Sequence, residues 1–275
     1  MYNSGLTGKK VLVTGGTSGL GSELVRTLTA RGCYVVATGR RKGDFIHDNL
    51  RYVVVDFCDL RSVALAIEKI VGEEGGFDIV INNAGVLSPP EFIKTRDGFE
   101  YSFQVNFLAH LLVNEIILNK TDISRDILIV AVTSPVYRIV SRDLIVMTER
   151  DVYKPFRAYS LSKLYMALMC QYLPERFRNR NLTCIGFDPG VFSSGIYRMQ
   201  NALFRLLYHI AAPFMKKPGM LAACLSEMIE YNSLRTGNVY DFRKKERSIP
   251  DVEYTVRDLF WKDCYNRLGE FSGSR

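Results

Sequence analysis

The sequence predicts an α/β fold, a parallel, doubly wound sheet of about seven strands with helices on both faces. Short, near-continuous apolar runs of strand length alternate with longer stretches in which apolar residues recur at helical spacing. The first run leads directly into a glycine-rich turn and then a helix. Gly15, Arg40, Asp56, Asn83 and Ser134 all fall at the carboxyl ends of predicted strands, where such sheets bind their ligands. With 275 residues, 47% of them hydrophobic, the chain is long enough for a large core and short enough for one domain spanning 1–275.

Lys10-Val11-Leu12-Val13 reads as the first strand, and Thr14-Gly15-Gly16-Thr17-Ser18-Gly19-Leu20-Gly21 as the turn after it. Leu20, Leu24 and Leu28 then mark a helix ending near Arg31. Glycines there let the backbone approach a pyrophosphate, and the helix start offers free N–H groups and a positive dipole end. The second strand, Tyr34 to Thr38, runs into Gly39-Arg40-Arg41-Lys42. An NAD site wants an acid about 20 residues beyond the glycines, whereas an arginine there accommodates a 2'-phosphate. Arg40 stands nineteen residues after Gly21 and no acid lies between Glu23 and Asp44, so the reading is NADP(H), with Arg40 as clamp and Arg41 or Lys42 as helpers.

Tyr52 to Phe57 reads as the third strand, with Asp59 or Ser62 capping the next helix. Asp78 to Ile81 is the fourth, running into Asn82-Asn83-Ala84-Gly85, and a helix from about Phe99 to Leu118 carries Asn106. Asp126 to Thr133 is the fifth strand and Thr183 to Phe187 the sixth. A helix over Met220 to Tyr231 and a seventh strand over Thr236 to Phe242 follow, and residues 251–268 place Val252, Val256, Leu259 and Phe260 on one helical face.

Tyr159 and Lys163, four residues apart on a helix, share one face, so the ammonium can lie beneath the phenol. Bringing a phenol from a pKa of about 10 to 7 needs roughly 4 kcal/mol of preferential phenolate stabilisation. An ammonium about 5 Å away supplies roughly 3 kcal/mol at an effective dielectric near 20. An oxidised nicotinamide would add to it. Alone, this spacing also fits an exposed helical pair.

Six scattered cysteines without a Cys-x-x-Cys pair and three separated histidines suggest neither a disulfide framework nor a metal site. The net charge of +7 is spread along the chain, which fits solvated surface better than a nucleic-acid interface. A polar N-terminal stretch and the lack of any run near 20 apolar residues lead to the expectation of a soluble, cytoplasmic protein.

Together these motifs resemble the short-chain dehydrogenase/reductase family in its classical, Rossmann-type form. The segment Gln104 to His110 and the closing Leu259-Phe260-Trp261 are most similar to its retinol-dehydrogenase-like branch. The resemblance implies a tetrad of Asn106, Ser134, Tyr159 and Lys163. Ser134 would hydrogen-bond the substrate oxygen, Tyr159 exchange a proton with it, Lys163 hold the cofactor ribose, and the Asn106 helix position a relay water. It also implies cofactor contacts from Gly15, Thr17, Ser18, Gly19, Leu20 and Gly21, from Asp56 and Phe57 at the adenine, and from Asn83, Ala84 and Gly85. At the nicotinamide it implies Pro189, Gly190, Val191 and Ser194. For Asn106 the residue pattern itself leaves a purely structural tie open.

Twenty-four residues separate Ser134 from Tyr159, and this insert is either a wall of the substrate site or a surface loop. The resemblance implies that the segment at about 191–216 closes over the substrate as a lid, and its apolar composition predicts a lipophilic or aromatic carbonyl or alcohol substrate. The segment is also compatible with packing on its own domain or another subunit of a homo-oligomer, or with weak membrane-surface contact. The expected activity is NADP(H)-dependent oxidoreduction. The alternatives are an epimerase or isomerase that returns the hydride and a non-catalytic NADP(H)-binding regulator.

Overall fold

The computed structural model describes residues 5–140, 150–192, 215–231, 234–269 and 271. Eight strands form one sheet in the order β3-β2-β1-β4-β5-β6-β7-β8, parallel throughout except for the last pair. They are β1 (Lys10–Val13), β2 (Tyr34–Gly39), β3 (Leu50–Val54), β4 (Ile79–Asn82), β5 (Ile127–Val132), β6 (Leu182–Asp188), β7 (Val239–Asp241) and β8 (Glu246–Arg247). The order reverses between β1 and β4, and the turns after those two strands meet there. Such a switch point opens a crevice for a ligand.

Helices cover both faces. On one lie α1 (Gly19–Ala30) and α6 (Pro218–Tyr231), sharing a core with Val11, Val13, Val35, Ile81 and Phe187. On the other lie α2 (Leu60–Glu74), a helix running from α3 (Tyr101–Phe103) through a π-helical turn at Gln104–Leu108 into α4 (Ala109–Lys120), and α5 (Pro155–Arg176). Local chemistry sets their ends. Asp59 accepts from Ser62 N at 2.8 Å to open α2, as its sequence position predicts, and Gly75 closes it with φ of 70°. Glu100 accepts from the amides of Ser102 and Phe103 at the start of α3, and Pro155 occupies the first turn of α5.

A further helix, α7 (Tyr254–Leu268), lies against α5 and the π turn. Trp261 stacks on Tyr172 at 4.0 Å, and Phe260 stacks on Tyr165 at 4.5 Å and on Phe107 at 5.6 Å. Of the apolar face read from sequence, one position is corrected: Leu259 is 61% exposed, and Val252 precedes the helix though it is buried. Val256 packs against the core, and Phe260, Trp261, Cys264 and Leu268 are buried in it. The aromatic wall on α5 selects them. All six cysteines are free.

Candidate active site

A cleft of about 620 Å³ runs along the carboxyl ends of β1, β2 and β4. Its lining brings together Gly15, Thr17, Ser18, Gly19, Leu20, Gly21, Arg40, Asp56, Phe57, Asn83, Ala84, Gly85, Tyr159 and Lys163, residues the sequence assigns to one site from five separate segments. Thr38, Cys58 and Val86 join them as close chain neighbours of those residues, Val105 from the Gln104–His110 segment and Phe192 from the apolar segment at 191–216, whereas Tyr101 is delivered by tertiary packing alone.

The turn after β1 suits a phosphate by geometry. A Cβ on Gly15 would sit 2.8 Å from Ala84 Cα, and one on Gly21 would sit 2.1 Å from the Gly15 carbonyl oxygen. The turns after β1 and β4 therefore touch only because side chains are missing there. Asn83 Nδ2 donates to the carbonyl oxygens of Thr14 at 2.9 Å and Gly15 at 3.2 Å, tying the two turns together. Ser18 leaves the start of α1 without a side-chain cap, and the first turn holds no acid. The free amides and dipole end thus face the cleft as an anion site.

At the far end of β2, Arg40 and Arg41 line the cleft and are exposed. A Cβ at Gly39 would lie 2.7 Å from the Thr17 methyl, so a side chain at position 39 would require Thr17 to shift. Cations, not acids, stand at the end of this strand.

At the opposite end lie Tyr159 and Lys163 on α5. The Lys163 ammonium lies 5.9 Å from the Tyr159 ring centre and donates to the Val132 carbonyl oxygen at 3.0 Å. Burial lowers the pKa of Lys163 to about 8. Tyr159 is 9% exposed and borders the cleft.

Ser134 lies two residues beyond β5 in an extended conformation, φ −163° and ψ 149°, which the proline after it favours. It is absent from the cleft lining, as is Asn106. The Asn106 side chain accepts from Val86 N at 2.7 Å and donates to Val86 O and to Ser162 Oγ, each at 2.9 Å. Both amide protons are thus spent on protein partners, tying the β4 turn to α5. Asn106 and Lys163 are still neighbours, since a Cβ on Gly85 would lie 3.4 Å from Asn106 Oδ1 and 3.5 Å from Lys163 Nζ. In the turn after β6, Gly190 takes φ of 68° and its amide donates to Asp188 at 2.8 Å, while Val191 is exposed. Pro189, Gly190 and Val191 do not line the cleft, which Phe192 reaches instead. Ser194, most of the apolar segment at 191–216 and part of the insert before Tyr159 lie outside the described residues.

The family model for short chain dehydrogenase matches residues 9–202. The chain belongs to that family. Human retinol dehydrogenase 12 is 32% identical, over 78% of this chain and 71% of its own length. Mouse retinol dehydrogenase 13 is 30% identical, over 96% of this chain and 85% of its own. These relatives place this short-chain dehydrogenase in the retinol-dehydrogenase-like branch. Its fold is shared by a short chain dehydrogenase from Burkholderia cenocepacia in complex with NADP. That structure has a TM-score of 0.67 and 21% identity, and the match covers 86% of this chain and 96% of the other.

Proposed function

We propose that this short-chain dehydrogenase transfers a hydride between NADP(H) and a lipophilic carbonyl or alcohol, with Tyr159 as acid and base. The observation that carries the reading is one cleft holding an anion-binding turn at one end and a buried Tyr–Lys pair at the other. When bound, the nicotinamide supplies the hydride. The amides at the start of α1 and the glycine turn would hold the pyrophosphate. Arg40, with Arg41, would clamp a 2'-phosphate at the end of β2, where the sequence carries no acid.

Tyr159 gives its hydroxyl proton to the substrate oxygen during reduction and takes it back during oxidation. Lys163, a cation in a dry setting, favours the phenolate over the phenol and would hold the cofactor ribose. Its bond to Val132 O fixes where that charge stands. Ser134, presented just beyond β5, supplies a hydroxyl to the substrate oxygen. A lipophilic substrate is supported by the relatives' names, which include a human polyprenol dehydrogenase, and by Phe192 in the cleft wall.

The test is NADPH consumption against a panel of retinoid, steroid, quinone and aromatic carbonyls, with Tyr159→Phe as control. The expected outcome is turnover of a lipophilic member by the natural sequence only. A folded Tyr159→Phe protein that turns over as fast would sink the assignment of Tyr159.

A further inference from the structure

His110 is wholly buried beneath the cleft, outside its lining, and the chemistry proposed above makes no use of it. Its ring touches two structures that do matter to the cleft. Nδ1 lies 2.9 Å from the Asn106 carbonyl oxygen in the π turn, and Nε2 lies 2.9 Å from Thr14 Oγ1 at the end of β1. A carbonyl oxygen only accepts, so Nδ1 carries the ring proton and Nε2 is bare. Thr14 must then donate to Nε2. Its other acceptor in reach, Ile81 O, is farther away at 3.4 Å.

With its proton directed at His110, the Thr14 oxygen accepts from the amides of Asn83 at 2.9 Å and Ala84 at 3.0 Å. Those two residues line the cleft. On the other side, Asn106 holds Val86, also in the lining, and reaches α5 through Ser162. His110 bonds to both sets, beside the short turn of chain that joins Ala84 to Val86. Phe57, a cleft residue, meets the imidazole edge-on at 5.0 Å and closes its remaining side.

We propose that His110 is a positioning residue that sets cofactor affinity by fixing the Thr14 hub beneath Asn83 and Ala84 against the Asn106 turn that braces Val86 and α5. The proposal rests on the dinucleotide reading of the cleft. The ring stays neutral, because burial and the nearby Lys163 charge push the imidazole pKa down to about 3, and the Asn106 carbonyl then selects the tautomer.

His110→Phe keeps an aromatic ring and removes both bonds. The NADPH dissociation constant, followed by nucleotide fluorescence, rises about tenfold, as expected for stranding buried hydrogen-bonding partners. The kcat at saturating NADPH changes much less. In His110→Gln the amide oxygen reaches the Nε2 position and accepts from Thr14, so most of the affinity returns. Unchanged affinity in a folded His110→Phe protein, or equally weak binding by the Phe and Gln variants, would overturn the proposal.

If His110→Phe does not fold, His110→Asn replaces it. Asparagine reaches only the Nδ1 position, so it must bind NADPH more weakly than His110→Gln, and the opposite or an equal ranking defeats the idea. Natural-sequence protein that binds no nicotinamide dinucleotide would remove both the oxidoreductase reading and this one. Binding that is indifferent to position 110 would remove only this one.

Discussion

The two ends of the cleft each present a positive charge, but under opposite conditions. Arg40 stands in water at the end of β2, whereas Lys163 is 5% exposed within α5, close to Asn106 and Gly85. Salt screens an exposed cation over a Debye length of about 8 Å at physiological ionic strength, and its value lies in choosing a partner. A buried cation is screened far less and acts strongly on the groups beside it, at the cost of its own desolvation. The selective element therefore sits at the rim and the chemical element in the dry interior.

The largest expected effect breaks the inner end. Tyr159→Phe lowers kcat by about a thousandfold, within the range of general acid–base catalysis, and leaves NADPH binding nearly intact. Single-turnover rates beside equilibrium titration separate the two.

Next comes the pH dependence of Lys163. With its pKa drawn from an ordinary 10.5 to about 8, the ammonium is present below pH 8 and lost above it. NADPH affinity declines as pH rises through 8, and Lys163→Met removes that dependence together with much of the affinity. Stability moves the other way. The unfolded chain holds this proton up to about 10.5, so between pH 8 and 10.5 it binds more protons than the native state, and unfolding free energy rises with pH. Denaturant titrations of Lys163→Met should show a flatter slope in that window.

The rim gives a smaller effect. Arg40→Asp shifts the NADPH to NADH ratio of Michaelis constants by about thirtyfold, the scale of one lost charge-assisted contact. That preference should fall with added salt in the natural sequence, and an unchanged ratio in the variant would dismiss Arg40 as the clamp. Smallest is Asp59→Ala, which costs about 1 kcal/mol of stability through the lost α2 cap and leaves both ends of the cleft alone. Chemical denaturation measures it.

The central strands were legible because a parallel strand covered on both faces must be apolar throughout, as Val11 to Val13 and Ile79 to Ile81 are. The edges were less so. β3 begins at Leu50 and ends at Val54, earlier than its apolar run suggests, because an edge strand tolerates Arg51 and leaves Val54 half in water. β8, only Glu246–Arg247, carries no apolar signal at all. In the site, the glycine turn, Arg40 and the Tyr159–Lys163 spacing are local patterns and could be read directly. Cys58 and Val86 come to the cleft behind Phe57 and Gly85, whereas Tyr101 could not be read, since nothing in its own neighbourhood sends it there. Nor could the Thr14–His110 contact, which joins residues far apart in the chain, although both stood within quoted motifs.

The stacking of α7 on α5 also bears on the order of assembly. Tyr172 and Trp261, in contact at 4.0 Å, are separated by most of the carboxyl-terminal third of the chain. Such distant pairings carry a large loop-closure cost and come late when a domain folds. The helix bearing Tyr159 and Lys163 thus gains its outer aromatic wall only after β6, α6 and β7 have been laid down. A ribosome-bound chain that stops before residue 254 would expose Tyr165 and Tyr172, and would hold its acid–base pair on an unfinished support.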